Sequence, residues 1–92
     1  MKLYFSNEFL GKISDISIDG MWINAEITPS KNMEKFNDFF AAIVDEENDF
    51  EESDYSKEWL DDSNWYIIDE NKKKGIYIPA VYPDKEINWR WR

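Results

Sequence analysis

The feature that most constrains the fold is one apolar stripe within residues 30–44. The large apolar side chains recur at intervals of three and four, the spacing of one face of an amphipathic helix; they are Met33, Phe36, Phe39, Phe40, Ile43 and Val44. Thr28-Pro29-Ser30 predicts where this helix begins, because a hydroxyl can accept from an unpaired amide of the first turn and proline is tolerated there. We therefore predict one long helix over residues 30–44.

Segments with strand patterns precede the helix. Asp19-Gly20 lies between two apolar runs and predicts a tight hairpin turn. In the run before it, the alternation changes phase between Ile13 and Ile16, which predicts a β-bulge near Asp15. In the run after it, apolar residues alternate with polar ones and a single Trp, as in a half-buried antiparallel strand. The predicted strands lie within residues 2–6, 13–18 and 21–28.

A second set of strands is predicted after a short helical turn at residues 56–62, which Trp59 and Leu60 anchor. Residues 65–68 read as a central strand, residues 70–75 as a polar hairpin loop, and residues 76–79 as a strand that Pro79 ends. After a turn at residues 83–86, the alternation of Ile87, Trp89 and Trp91 with polar residues predicts a last strand.

The predicted fold class is α+β in a single domain over residues 1–92. The predicted order is β-β-β-α-α-β-β-β. We expect a mostly antiparallel, twisted sheet of five to six strands with the long helix packed on one face. The sequence does not determine the order of the strands in the sheet.

The composition argues against most kinds of catalytic and metal site. The chain has no Cys and no His, so thiolate ligands and the usual neutral-pH proton carrier are missing. Its three glycines are isolated and its acidic residues do not fit the EF-hand spacing. We predict a protein that is not an enzyme and holds no cofactor or metal. No continuous apolar run has the length of a membrane span, so we also expect a cytoplasmic protein.

The negative charge is concentrated in one part of the chain. The net charge is −9, and seven of the ten residues 45–54, hereafter the acid block, are acidic. Such a block focuses negative potential and can attract a basic partner. A solvated loop without a partner is the other interpretation. If the block binds, the predicted contact residues are Glu46, Glu47, Asp49, Phe50, Glu51, Glu52 and Asp54.

A second candidate surface follows from strand alternation. If Met21, Ile23, Ile27, Ile87 and Trp89 face the helix, then the opposite face of the sheet carries Trp22, Asn24, Arg90 and Arg92. Tyr66 or Tyr77 could join them. Aromatic and Arg side chains are enriched at protein interfaces, so this face suits a partner or a second copy. The other interpretation is an isolated exposed Trp with solvated arginines.

Nucleic acid is a weaker interpretation of the Trp-Arg-Trp-Arg sequence at residues 89–92. Aromatic rings stack on bases and cations contact phosphates. On a strand, however, the two rings share one face and the two cations share the other. The net charge of −9 also opposes binding to a polyanion. We therefore expect no nucleic-acid partner.

Several short motifs carry a resemblance. They are Gly-Lys-Ile at Gly11, Asp-Gly-Met-Trp at Asp19, Trp-Tyr-Ile-Ile-Asp at Trp65, Ile-Tyr-Ile-Pro at Ile76 and the closing Trp-Arg-Trp. In these the chain resembles a family of small, functionally uncharacterised bacterial proteins. In size and charge alone it also resembles the immunity proteins that neutralise bacterial toxins. This second resemblance implies a protein partner and transfers no residue.

The leading hypothesis from the sequence is a stoichiometric binding protein, an immunity-type inhibitor of a basic toxin such as a nuclease. The acid block would occupy a cationic cleft through charge-assisted hydrogen bonds, with Phe50 as its apolar anchor. The alternative is a self-associating scaffold domain that buries the face around Trp22 and Arg90 in a homodimer. A third interpretation, a small carboxylate-dependent enzyme, requires a pocket that holds two convergent acids.

Overall fold

The structure, a computed structural model, describes residues 1–44 and 56–92. In this part of the chain the strands are β1 (Lys2–Phe5), β2 (Glu8–Asp19), β3 (Trp22–Pro29), β4 (Trp65–Asp69), β5 (Lys72–Gly75), β6 (Ala80–Val81) and β7 (Glu86–Trp89). They form one antiparallel sheet in the order β5-β4-β1-β2-β3-β7-β6. The predicted α+β class is confirmed, with seven strands in the described residues rather than five to six.

The hairpin of β2 and β3 confirms the predicted bulge and turn, with one shift. Register is lost between Ser14 and Ser17, and Asp15 has a positive φ of 53°. Asp19 pairs with Trp22, so the loop residues are Gly20 and Met21 rather than Asp19 and Gly20. Gly20 takes a φ of 63°, as the first residue of a type II′ turn requires.

The second half of the sheet departs further from the prediction. The loop between β4 and β5 contains only Glu70 and Asn71, both with positive φ, as in a type I′ turn. Lys72 to Lys74 therefore lie in strand β5 and not in a loop. Conversely, the segment from Ile76 to Pro79, predicted as a strand, makes one isolated β-bridge, and the chain pairs again only at β6.

Hydrogen bonds join the edge strand β5 and the residues after it to the residues that follow β7. Ile76 forms a bridge with Trp91, the Tyr77 amide donates to the Arg90 carbonyl at 3.0 Å, and the Arg92 amide donates to the Gly75 carbonyl at 3.1 Å. The Arg92 side chain adds two more bonds, from Nε to the Ile76 carbonyl at 2.7 Å and from Nη2 to the Trp65 carbonyl at 3.2 Å. The sheet therefore closes on itself into a barrel-like ring.

The predicted long helix is a 3₁₀ segment, Lys31–Phe36, that continues as helix α1, Asn37–Val44. The spacing of three places Met33 above Phe36 in the 3₁₀ segment, and both side chains are buried. The Ser30 hydroxyl does not cap this helix as predicted. It donates to the Phe9 carbonyl at 2.6 Å and thereby attaches the start of the helix to β2.

The core lies between the helix and the inner face of the sheet. Phe36 contacts Phe5 and Trp59, with ring centroids 5.2 and 4.5 Å away, and Trp65 packs 4.9 Å from Phe5. Trp65 also donates its indole N–H to the Trp59 carbonyl at 2.8 Å. The short turn around Trp59 and Leu60 thus anchors to the core as predicted.

Gly11 on β2 provides a test of how closely β2 and β3 are packed. A Cβ at this position would lie 2.7 Å from the Thr28 carbonyl oxygen and 2.9 Å from Ile27 Cγ1, both on β3. We expect Gly11→Ala to lower the free energy of unfolding by about 1–3 kcal/mol, because β3 must shift. Urea unfolding followed by Trp fluorescence measures this. Ser14→Ala, at an exposed position of the same strand, is the control and is expected to change the free energy of unfolding by less than about 0.5 kcal/mol. If both substitutions changed the free energy of unfolding equally, the packing argument would be contradicted.

Candidate functional site

The most exposed apolar side chains lie at the tip of the β2–β3 hairpin. Strand β2 has twelve residues and β1 has four, so β2 extends beyond β1 at this end. Ile18 is 73% exposed and Met21 is 68% exposed. Met21 was predicted to face the helix, and this was wrong because it belongs to the two-residue loop. Large apolar groups this exposed are typical of surfaces that bind something.

Arg90 lies between two aromatic rings beside this tip. The pairing of Ile23 with Trp89 brings Trp22 on β3 next to Arg90, which follows β7. The Arg90 Cζ atom is 5.6 Å from the centroid of the Trp22 ring and 5.3 Å from that of the Tyr77 ring. Both distances are within the range of cation–π attraction, so the guanidinium is held between two partly exposed rings.

A shallow groove of about 430 Å³ has Ile18, Met21, Ile23, Tyr77, Arg90 and Trp91 among the residues that line it, and Trp22 adjoins it through its contact with Arg90. We call the exposed groups around it the aromatic surface, which consists of Ile18, Met21, Trp22, Tyr77, Arg90 and Trp91. The Trp91 ring packs edge-on against buried Trp89, with centroids 5.7 Å apart. The surface is therefore built on the core, which favours a fixed shape.

Carboxylates line a second groove on the same strands. This groove of about 270 Å³ is lined by Ser17, Asn24, Ala25 and four acidic residues. We call these four the acid groove; they are Asp15, Glu26, Asp84 and Glu86. Glu26 and Glu86 are directly opposite each other on β3 and β7. Like charges in such cross-strand pairs repel, so the arrangement favours a cation between them.

The closest carboxyl pair in the acid groove is Asp15 with Glu26. A hydrogen bond that protonated Glu26 donates to the Asp15 carboxylate, followed by the Asp15 charge and by slight burial, raises the pKa of Glu26 above its ordinary value. Asp15 lies in the bulge of β2, so the two carboxyl groups are adjacent on this part of the sheet.

Asn24 lies between the two surfaces. It lines the acid groove and also a groove of about 280 Å³ that contains Trp22, Tyr82 and Asn88. Asn88 donates from Nδ2 to the Tyr82 hydroxyl at 3.3 Å, and its buried Oδ1 has no hydrogen-bond partner among the described residues. Asn88 pairs directly with the predicted surface residue Asn24.

The structure brings together three of the four residues predicted for the open sheet face. Trp22 and Arg90 are in contact, Asn24 lies two residues farther along β3, and Tyr77 joins them. Arg92 is used differently, because its guanidinium folds back on the backbone of the ring closure. Tyr66 lies elsewhere, stacked on Tyr4 with centroids 5.4 Å apart.

The predicted contact residues of the acid block are outside the described residues. They are Glu46, Glu47, Asp49, Phe50, Glu51, Glu52 and Asp54. Their role in binding stays a prediction.

Sequence reasoning missed the tip of the hairpin and the acid groove. The exposure of Met21 follows from the shifted loop, and the preference of type II′ turns for Gly at their first central position was the available signal. The acid groove joins residues from β2, β3 and the turn before β7. No local pattern indicates such a combination.

Metal binding and membrane insertion find no support in the described residues. Within 1–44 and 56–92, no group of three or more His, Cys, Asp or Glu side chains is arranged to hold a metal ion. In the same ranges no helix has the length and apolar character needed to cross a membrane.

Comparison of the chain with protein-family models, curated proteins and solved structures finds no match. The candidate function therefore depends on the contacts described above.

The carboxyl pair of Asp15 and Glu26 predicts that the stability difference between Glu26→Gln and the unchanged protein depends on pH. A raised folded-state pKa means that the stability Glu26 contributes is fully present below its unfolded pKa and is lost as pH rises through the folded value. We expect Glu26→Gln to raise the melting temperature at pH 7. This advantage should shrink as pH falls, because the raised pKa makes Glu26 protonate at a higher pH than an ordinary glutamate.

Thermal melts followed by circular dichroism at several pH values measure the effect. Glu34→Gln removes the same charge from an exposed position in the 3₁₀ segment and serves as the matched control. A gain for Glu26→Gln that equals the control, or that is independent of pH, would contradict the repulsion between the two carboxyls.

Proposed function

We propose that this chain is a stoichiometric protein-binding domain for a basic partner, and that an inhibitor of a basic toxin such as a nuclease is the class that best fits its charge. The observation that carries the proposal is the aromatic surface, in which Trp22 and Tyr77 enclose Arg90. Trp, Tyr and Arg are the residues that most often dominate binding energy at protein interfaces. Their clustering on the core supports binding over an isolated exposed Trp.

Charge supports the choice of a basic partner. The net charge is −9, and the acid block and the acid groove both contribute to it. In the proposed mechanism the acid block attracts the partner at long range and contacts its cationic cleft. The aromatic surface then makes the short-range contacts that slow dissociation. This separates electrostatic steering, which sets the association rate, from packing, which sets the dissociation rate.

Self-association is the second candidate function, since a second copy would bury the same exposed apolar groups. Ile18, Met21 and Trp22, which are 73%, 68% and 48% exposed, favour it because large apolar side chains this exposed at one hairpin can be buried by a second copy. In that case the chain is a scaffold domain. The repulsion between two copies that each carry nine net negative charges opposes this alternative.

Affinity capture from a lysate of the source organism at low salt, followed by kinetics with the purified partner, tests the leading proposal. We expect a basic protein retained close to one-to-one, with an association rate that falls by about tenfold or more between low and high salt. Neutralising the acids of residues 45–54 to Asn and Gln should remove most of this salt dependence. Trp22→Ala or Arg90→Ala should increase the dissociation rate by about tenfold or more.

Lys73→Ala is the matched control for Arg90→Ala, because Lys73 also places a cation over a ring, that of Tyr66, at 4.3 Å. It should leave the dissociation rate unchanged. A salt-independent association rate, or equal effects of the two changes, would contradict the proposal. Light scattering distinguishes the second candidate function from the first. If the chain has the mass of a dimer and Trp22→Glu has the mass of a monomer, the scaffold function is supported instead.

A further inference from the structure

Strand β2 has an unpaired edge. Strand β1 covers β2 only from Glu8 to Lys12, and the last bond on that side runs from the Ile13 amide to the Met1 carbonyl at 2.8 Å. On their other side, Ser14 and residues 17–19 pair with β3, Asp15 and Ile16 lie in the bulge, and all six residues are exposed. Among the described residues nothing hydrogen-bonds to the outer side of this segment. We call residues 14–19 the free edge.

The backbone of the free edge presents groups that can bind another strand. Asp19 and Trp22 flank a two-residue loop, so their amides and carbonyls point toward each other. Alternation then directs the amide and carbonyl of Ile18 outward, and those of Ile16 in the same way. Exposed donors and acceptors in this arrangement are a template for strand addition.

The side chains along the free edge are suited to a neighbour. Ile16 and Ile18 are 42% and 73% exposed, and they would pack against apolar side chains of an added strand. Natural proteins often protect such edges with lysine, proline or a covering segment. The sequence Ser-Asp-Ile-Ser-Ile-Asp contains no lysine and no proline. Its only charges are the carboxylates of Asp15 and Asp19.

The carboxylates of the free edge favour a cationic segment over a second copy of this chain as the added strand. Asp15 and Asp19 lie on either side of the two isoleucines, and Glu26 on β3 lies beside Asp15. In a second copy, the antiparallel register that pairs Ile16 with Ile18 would place Asp15 opposite Asp19 at both ends. Like charges directly opposite are destabilising. A segment with Lys or Arg at those positions turns the same repulsion into attraction.

We infer that the free edge of β2 accepts an extended, cationic segment of the partner protein as an added β-strand. Backbone hydrogen bonds to Ile16 and Ile18 hold the segment, and its Lys or Arg side chains lie beside Asp15 and Asp19. This inference rests on the proposed function, since it specifies how a basic protein partner is bound. It adds the residue pattern of that partner, in which apolar and cationic side chains alternate.

A short capped peptide of alternating lysine and valine is the probe, and amide hydrogen exchange measured by NMR is the readout. The Ile16 and Ile18 amides are expected to exchange fast in the free protein and at least about tenfold more slowly at saturating peptide. The Ser17 amide, which faces β3, serves as the internal reference. Asp15→Asn combined with Asp19→Asn should weaken the affinity for the lysine–valine peptide about threefold or more. Glu34→Gln combined with Asp38→Asn removes two exposed charges elsewhere and should not weaken it.

Two further peptides separate the contributions. A glutamate–valine peptide tests the charge, and a lysine–glycine peptide of the same charge tests the need for a strand former. The inference is overturned if either control peptide binds as tightly as the lysine–valine peptide, or if the lysine–valine peptide does not bind. It is also overturned if the Ile16 and Ile18 amides are already protected from exchange in the free protein. Protection that rises with protein concentration would indicate a second copy and would also overturn it. If the captured partner binds while these two amides still exchange fast in the complex, the proposed function stands and only the free-edge inference fails.

Discussion

The hydrogen bonds between residues 75–77 and 90–92 are the constraint on which the rest of the structure depends. They join the end of β5 to the residues after β7, so that Trp89 and Ile76 complete a buried core. Gly75 makes this possible, because a Cβ there would lie 2.6 Å from Arg92 Nη2. The two hydrogen bonds from the Arg92 guanidinium to backbone carbonyls add to this closure, because bonds from a charged donor are stronger than neutral ones. The same closure brings Tyr77 to Arg90 and so builds the aromatic surface.

The features that the sequence predicted well depend on local patterns. The bulge at Asp15, the hairpin at Gly20 and the apolar stripe of the helix each follow from a few neighbouring residues. Strand β5 was missed because three consecutive lysines disfavour a strand when it is considered alone. Pairing with β4, where Lys73 lies over the ring of Tyr66, overrides that preference. The closure by Arg92 was missed because it joins distant parts of the chain.

In the candidate site, too, local patterns predicted some residues and missed those that depend on distant contacts. Alternation placed Trp22, Asn24 and Arg90 on one face of the sheet, and Trp22 and Arg90 are in contact there as part of the aromatic surface. It also placed Arg92 there, whereas backbone carbonyls of the ring closure bind its guanidinium. The acid groove and the free edge depend on the relative lengths of β1 and β2 and on the sheet order. Sequence patterns do not contain that information.

Exchange of the Tyr77 amide in Arg92→Ala tests most directly whether the ring closure holds the aromatic surface in place. This amide donates to the Arg90 carbonyl, and the account predicts that it exchanges at least about tenfold faster in the variant. The Ser6 amide, bonded to the Asn64 carbonyl at 2.8 Å, should be much less affected. Unchanged protection of Tyr77, or equal acceleration at both amides, would contradict a local role for the closure.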